Sequence, residues 1–392
     1  MNIKPTILIK NTLVYLNMVS SRSVTYLIII SLIISLTAMK NSGPKPNRVI
    51  IGYVGGYEGL VNVENIDAKS LTHINYAFVN VEDSLAVLTN LKTDSINFRK
   101  LNLLKRKNPD LKILISIGGW SWSENFSDAV LTKSSRKAFA KSAVGIIQTY
   151  QLDGIDIDWE YPGMPGEEGN VFRPEDKQNY TLMFEALRVE LNKLQADTKK
   201  QYLLTCAVGG SQDFLDHTEM KESSEYLDYI NLMTYDYYSS TVAGHHTNLF
   251  TSKIYNSGNS ADITVRAYKA AGVPTSKLVM GIAFYGRNFT MAPQSKIGLG
   301  EKIVSQRFGS GYSTIKDSLV NKNGFKEFRD EDAKASYLFN LKTREFISYD
   351  DEWSVMNKCK YVSDSTLAGV MFWEYDSDPK GYLLKVINKS LK

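Results

Sequence analysis

Downstream of Pro46 the chain repeats one pattern eight times: an apolar, β-branched run, then a polar stretch. The runs are VIIGYV from Val49, THINYAFV from Thr72, LKILISIGG from Leu111 and DGIDIDWE from Asp153. YLLTCAVGG from Tyr202, YINLMTYD from Tyr229, KLVMGIAFYG from Lys277 and AGVMFWEYD from Ala368 complete the set. Strands that are apolar along their whole length lack a solvent face, so they belong to a parallel sheet covered on both sides. The intervening segments carry helical periodicity, clearest from Pro174 to Leu194, where proline and acidic residues mark the start. Eight such units in 392 residues predict an α/β fold, a closed (β/α)8 TIM barrel. No G-x-G-x-x-G follows the first run, which argues against an open dinucleotide-binding sheet.

The spacing breaks once. Between the seventh and eighth runs lies far more chain than one crossover helix needs, with aromatic segments of its own at Tyr337–Phe339 and Phe346–Tyr349. A small α+β insertion subdomain over residues 288–366 is expected there, grafted at the C-terminal rim of a barrel spanning 47–392. After Asp376 only one short helix is expected, with no appended binding module.

Residues 1–40 read as an export segment. The apolar run Val24–Met39 follows Arg22 and precedes the breaker-rich KNSGPKPN. It is short for a membrane span of about 20 residues, so a signal peptide is expected ahead of an uncleaved anchor. Met18 offers a more ordinary start for such a signal. The chain is therefore expected outside the cytoplasm, extracellular or periplasmic, with no stable membrane insertion once the signal is cleaved.

Cys206 and Cys359 are too few for a disulfide framework, and Cys206 lies in an apolar run. The His245–His246 pair sits in the polar sequence AGHHTNL and carries no metal-ligand spacing, so neither metal nor cofactor is expected. The net charge of +4 is scattered, which gives no footprint for nucleic acid. The 23 tyrosines suit a site for planar-faced ligands such as carbohydrate, and equally a core.

DGIDIDWE breaks the apolar rule. Asp156, Asp158 and Glu160 fall on every second residue, so in a strand all three project to one face, successive ones about 6–7 Å apart. Ile155, Ile157 and Trp159 then face the other way and serve packing. In a barrel of this type the active site lies at the C-terminal strand ends. Glu160 would stand at the end of strand four, with Asp158 and Asp156 successively deeper. Crowded carboxylates shielded from water have raised pKa values, which suits Glu160 as a general acid, and the deeper aspartates can share a proton. No second carboxylate faces it as nucleophile on the same strand, and among other strand ends only Asp236 offers one.

At this point the sequence resembles a known family. DGIDIDWE fits the DxxDxDxE signature of the family 18 glycoside hydrolases, the chitinases. SIGGW (Ser116–Trp120), MTYD (Met233–Asp236), FYGR (Phe284–Arg287) and FWEYD (Phe372–Asp376) match its motifs at strands three, six, seven and eight. AKASYLFN and FISYDD resemble the insertion of its bacterial, deep-cleft subgroup. The resemblance implies hydrolysis of β-1,4 bonds between N-acetylglucosamine units with retention, the sugar's own 2-acetamido oxygen acting as nucleophile. It implies that Glu160 is acid and then base, and that Asp158 holds the acetamido N–H. Asp156, with Ser116 beside it, would take up the displaced proton, and Tyr235 would donate to the acetamido oxygen. Asp236 would contact both sugar and acid. Trp373 would floor the cleaved sugar's subsite, Tyr53 and Phe78 would complete its wall, and Trp120 would stack a neighbouring sugar. Arg287 would bind hydroxyls, and Met233 and Tyr285 would line the site. The implied partners are chitin or chitooligosaccharides, and a monomer is expected.

Two departures bear on the flanking subsites. The tryptophan often found after MTYD is absent, leaving Tyr237 and Tyr238, and Arg329 stands where many relatives have tryptophan. Two rival readings use the same barrel: a chitinase-like lectin without turnover, and an endo-β-N-acetylglucosaminidase acting on N-glycans. Loss of the acid is the usual mark of such lectins, and Glu160 is present. The insertion argues against the second.

Overall fold

The computed structural model describes residues 48–255 and 258–392. The export segment expected over residues 1–40 lies outside them. Eight parallel strands form the barrel: Val49–Gly55, His73–Glu82, Lys112–Gly118, Gly154–Asp158, Leu203–Gly209, Tyr229–Met233, Leu278–Ala283 and Gly369–Trp373. The first pairs with both the eighth (Val49 with Gly369) and the second (Ile51 with His73), which closes the sheet. A short antiparallel strand, Leu85–Leu88, hangs on the second.

The pleat sorts the side chains into two cores. Ile155, Ile157 and Trp159 point outward with Ile113, Ile115 and Leu204 into the shell between sheet and helices. There the Trp159 ring stacks on Phe126, centroids 5.2 Å apart at 13°. Tyr53, Ala77, Val279 and Met371 belong to a smaller inner core inside the barrel. Helix Lys133–Tyr150 opens with a capping box between Thr132 and Ser135 and buries Phe139, Ala143 and Ile147. Helix Asp176–Thr198 starts just after Pro174 and runs one turn beyond the predicted Leu194, ending where Lys199 turns left-handed (φ 60°).

Strand seven leads directly into Tyr285–Met291, a strand of a second, antiparallel sheet. Its order is Ile303–Gly311, Tyr285–Met291, Glu345–Tyr349, Ala335–Asn340, Lys326–Asp330, around a core that includes Phe289, Phe339 and Phe346. The next helix, Glu352–Asp364, packs on barrel strands seven and eight and on the last helix, Tyr382–Leu391. We therefore propose 285–349 as the inserted segment in place of 288–366, because helix Glu352–Asp364 occupies the barrel's own helical layer. Both cysteines are buried and unpaired. Among the described residues no helix is long and apolar enough to cross a membrane.

Candidate active site

Register assembles the base of the site. Ser116 on strand three lies opposite Asp156, and Asp156 lies opposite Thr205 on strand five. All three are buried inside the barrel. Asp156 accepts four hydrogen bonds: from Tyr53 Oη (2.9 Å) and Ser116 Oγ (2.8 Å) on Oδ2, and from Thr205 Oγ1 (2.5 Å) and Asn231 Nδ2 (3.2 Å) on Oδ1. Burial pushes its pKa up against those four donors. Ser116, expected among the substrate-binding residues, is wholly buried and donates to Asp156, so we propose it as a positioning residue for that carboxylate. The four hydrogen bonds of Asp156 go to residues other than Asp158.

One pleat higher, Gly118 of SIGGW pairs with Asp158. Gly118 has φ 108°, and a Cβ there would come within 2.2 Å of the Asp158 carbonyl oxygen, which receives the Gly119 N–H at 2.7 Å. The motif's glycines thus let strand three lie against the catalytic strand's end. Asp158 itself is buried, and its Oδ1 has no hydrogen-bond partner. Burial, with the neighbouring Glu160 and Asp156, raises its pKa well above the usual carboxylate range.

Glu160 completes the ladder at the mouth. Ser123 Oγ accepts its backbone N–H at 2.9 Å and also lies 3.3 Å from the Asp158 carbonyl oxygen, and Asn170 Nδ2 donates to its carbonyl at 3.1 Å. Burial pushes the Glu160 carboxyl up to about 7, opposed by a hydrogen bond from Tyr161 and assisted by the charge of Asp236. A carboxyl poised there is a proton donor near neutrality.

These residues open on a cleft of about 740 Å³. Phe78 and Trp373 stack at its base, centroids 5.5 Å apart at 17°, and Tyr57 stacks on Trp373 at 6.3 Å and 12°. Tyr53 lies against Trp373, centroids 5.8 Å apart, with its hydroxyl tied to Asp156. Trp120 stands at the rim, 48% exposed, edge-on to Tyr161. Met233, Tyr235 and Tyr285 also line the cleft. Among the described residues the Tyr235 hydroxyl has one hydrogen-bond partner, the Met371 sulfur at 3.8 Å, a weak acceptor that leaves it open to a ligand.

Asp236 and Arg287 meet each other instead of standing free. Arg287 donates through Nε to Oδ1 and through Nη2 to Oδ2, both at 2.7 Å. Its guanidinium is also covered by the rings of Phe308 (4.7 Å), Tyr238 (5.1 Å) and Tyr285 (5.5 Å). Burial would raise the Asp236 pKa, yet hydrogen bonds from His246 and Arg287 outweigh it and hold the group well below the usual carboxylate range.

Several lining residues were not picked out from the sequence. Trp122 lies two positions beyond Trp120 in WSW, and Tyr57 follows a Gly-Gly pair, so both had a local signal. Tyr161 directly follows the acid. Phe308 comes from the inserted sheet and had no motif to mark it. The tyrosine that replaces the absent tryptophan, Tyr238, lines the cleft. Arg329, the other departure, pairs with Asp351 at 2.9 Å and lies over Trp353. Most unexpected is AGHHTNL: it is no solvated loop, since residues 243–249 are all buried. Among the described residues, no cluster of His, Cys, Asp and Glu could hold a metal ion.

A closed parallel barrel with a carboxylate ladder ending in a proton donor, set in an aromatic cleft at the strands' C-terminal ends, defines a glycoside hydrolase. The chain belongs to the glycosyl hydrolases family 18, whose family model matches residues 49–378. It is 34% identical to Chitinase A1 of Niallia circulans over 84% of this chain, and it spans 56% of that protein's length. Among solved structures it resembles a family 18 N-acetylglucosaminidase from Paenibacillus barengoltzii (41% identity, TM-score 0.80, 88% of this chain and 100% of that one). It also resembles chitinase ChiA74 from Bacillus thuringiensis (34% identity, TM-score 0.82, 88% and 70% of the two chains).

Proposed function

We propose that the chain is a chitinase, hydrolysing β-1,4 linkages between N-acetylglucosamine units with the substrate's acetamido oxygen as nucleophile. One observation carries the reading: three carboxylates line the cleft, Asp158, Glu160 and Asp236, and neither companion of Glu160 suits attack on a sugar. Burial and the neighbouring carboxylates push Asp158 towards its neutral form, and both oxygens of Asp236 are engaged by Arg287. The nucleophile then has to arrive with the substrate. Glu160 protonates the leaving oxygen and afterwards draws a proton from water. The partnerless Asp158 Oδ1 receives the acetamido N–H as positive charge develops there, and the open Tyr235 hydroxyl donates to the acetamido oxygen. Asp158 must release its proton in that step. Three of the four donors on Asp156 are hydroxyls, which can turn to accept, so Asp156 can receive a proton without a shift of the chain.

The test is hydrolysis of a fully N-acetylated chitooligosaccharide beside its deacetylated twin, followed by NMR at the new reducing end. Cleavage of the acetylated sugar alone, β anomer first, is expected. Binding without cleavage would favour the lectin reading, and release of glycan from a glycoprotein the endoglycosidase one. A second reading, trimming of single N-acetylglucosamine units from chain ends, is favoured by the 41% identity to an N-acetylglucosaminidase. The product pattern from a pentaose separates the two, monosaccharide for trimming and shorter oligosaccharides for internal cutting. We also propose export, on the apolar run Val24–Met39. Sequencing the amino terminus of protein recovered from the medium is expected to find it near Lys40.

A further inference from the structure

Three consecutive residues of the buried segment after strand six reach three different parts of the molecule. His245 Nε2 meets Asp330 Oδ2 of the inserted sheet at 3.1 Å, where Ser252 also donates. His246 Nδ1 meets Asp236 Oδ1 at 3.4 Å. Thr247 Oγ1 donates to Asp350 at 2.8 Å, within the buried Lys358–Asp350 pair. The middle residue closes a ring. Its backbone N–H donates to Ser348 Oγ at 2.9 Å, Ser348 lies opposite Arg287 in the sheet, and Arg287 grips Asp236. So Asp236 is approached from barrel and insertion alike, and His246 belongs to both approaches.

We propose that His246 is a positioning residue of this active site: its Nδ1–H donates to Asp236 and, together with Arg287, fixes that carboxylate as an anion beside Glu160. The inference rests on the catalytic reading above for its consequence, though not for its geometry. Asp236 can only accept, so Nδ1 must carry the proton, which leaves Nε2 bare, buried and partnerless. Burial lowers the pKa of His246 against the pull of Asp236, which keeps the ring neutral. The groups facing the ring are Asp236, Arg287, Asp350 and the Tyr285 ring. Those facing Asp236 are His246, Arg287, Glu160, Tyr161, Tyr235 and Tyr285. Of the neutral groups among them, Tyr285 belongs to the inserted sheet and His246 is tied to it by its own backbone, with a ring nitrogen on Asp236. Loosening it should therefore be felt at Asp236 first.

The experiment reads Asp236 directly. Protein carrying ¹³C at aspartate carboxyls is titrated by NMR, with the Asp236 signal identified by its loss in D236N. In H246L the Asp236 midpoint is expected to rise by on the order of one pH unit, the scale of one hydrogen bond to a charged group. H246N, which keeps a donor at the position of Nδ1, should recover most of that shift. H245L removes the contact with Asp330 and should leave the Asp236 midpoint in place. In the wild type, ¹⁵N shifts should report His246 protonated on Nδ1. A folded H246L with an unmoved Asp236 midpoint would overturn the proposal, as would an Nε2–H tautomer in the wild type. Should H246L fail to fold, the tautomer decides. If wild-type protein fails to cleave chitooligosaccharide, the functional reading falls while this titration still stands.

Discussion

Arg287 holds Asp236 by two hydrogen bonds of 2.7 Å each, one to each carboxylate oxygen. That pairing divides the labour among the cleft carboxylates: Asp236 stays charged and fixed, while Glu160 is left to exchange a proton with the glycosidic oxygen. Substituting Glu160→Gln keeps the shape and removes the transferable proton. Binding of a chitooligosaccharide should survive, and the hydrolysis rate should drop by ~10²–10⁴-fold. Calorimetric binding beside a rate assay checks both halves, and an unchanged rate in the purified variant would sink the assignment.

The poise of Glu160 also sets the alkaline side of the activity profile. The free enzyme needs the protonated acid, whose pKa is pushed up to about 7. kcat/KM should accordingly fall as pH rises through about 7. The same shift acts on stability. The folded state keeps a proton that the unfolded chain, with a glutamate near the ordinary value of about 4.3, has lost. The stabilisation is complete below that ordinary value and disappears as pH rises through about 7. Melting curves from pH 4 to 8 should show the decline, and E160Q should flatten it.

Asp158 makes a different case, because its buried Oδ1 has no partner. An unpaired buried carboxyl weakens a fold when ionised. Asp158→Asn removes the ionisable group at equal size, so the variant should melt at the same or a higher temperature at pH 8. Its hydrolysis should still drop sharply, because an amide cannot become the charged acceptor that the acetamido N–H requires. A variant that loses stability and keeps activity would reverse both arguments.

How much of this was legible in the sequence follows from how local each signal is. The carboxylate ladder could be read because a strand's faces alternate at period two, and the structure places Ile155, Ile157 and Trp159 in the outer core as that period demands. Eight apolar runs could be read for the same reason. Ser116 was read as a substrate contact, while its hydroxyl is tied to Asp156: a motif tells that a residue matters, and not which of its neighbours it touches. His246 was passed over because its polarity reads as a loop, while its partners Asp236 and Ser348 lie 10 and 102 positions away in the chain. Phe308 escaped because its place over Arg287 depends on the pairing of two strands in the insertion.

Phe308 gives the next prediction. It is 53% exposed on the cleft wall and stacks on Tyr285 with centroids 4.6 Å apart. An exposed ring adds little to folding, and the part of it left uncovered by Tyr285 and Arg287 is available to a sugar. Phe308→Ala should leave the melting temperature within a few degrees and weaken binding of longer oligosaccharides by about 1–2 kcal/mol, the scale of losing one apolar contact face. Binding isotherms for a disaccharide and a pentaose would separate an effect on the distal wall from a general loss.

The last prediction concerns the ion pair behind the site. Lys358 and Asp350 are both wholly buried, with Nζ 2.6 Å from Oδ2. Asp350 also accepts from Thr247, Ser354 and the Ala283 backbone, which joins strand seven, the segment after strand six and helix Glu352–Asp364. Removing one member of such a pair leaves the other charge in the interior without compensation. Lys358→Met should therefore cost about 3–5 kcal/mol, the range for breaking a buried pair. Urea unfolding measures it directly. The double substitution K358M/D350N removes both charges and keeps a side-chain acceptor for Thr247 and the backbone, so it should recover part of the loss. A single substitution that costs under about 1 kcal/mol would mean that the pair is placed by its surroundings and does not hold them.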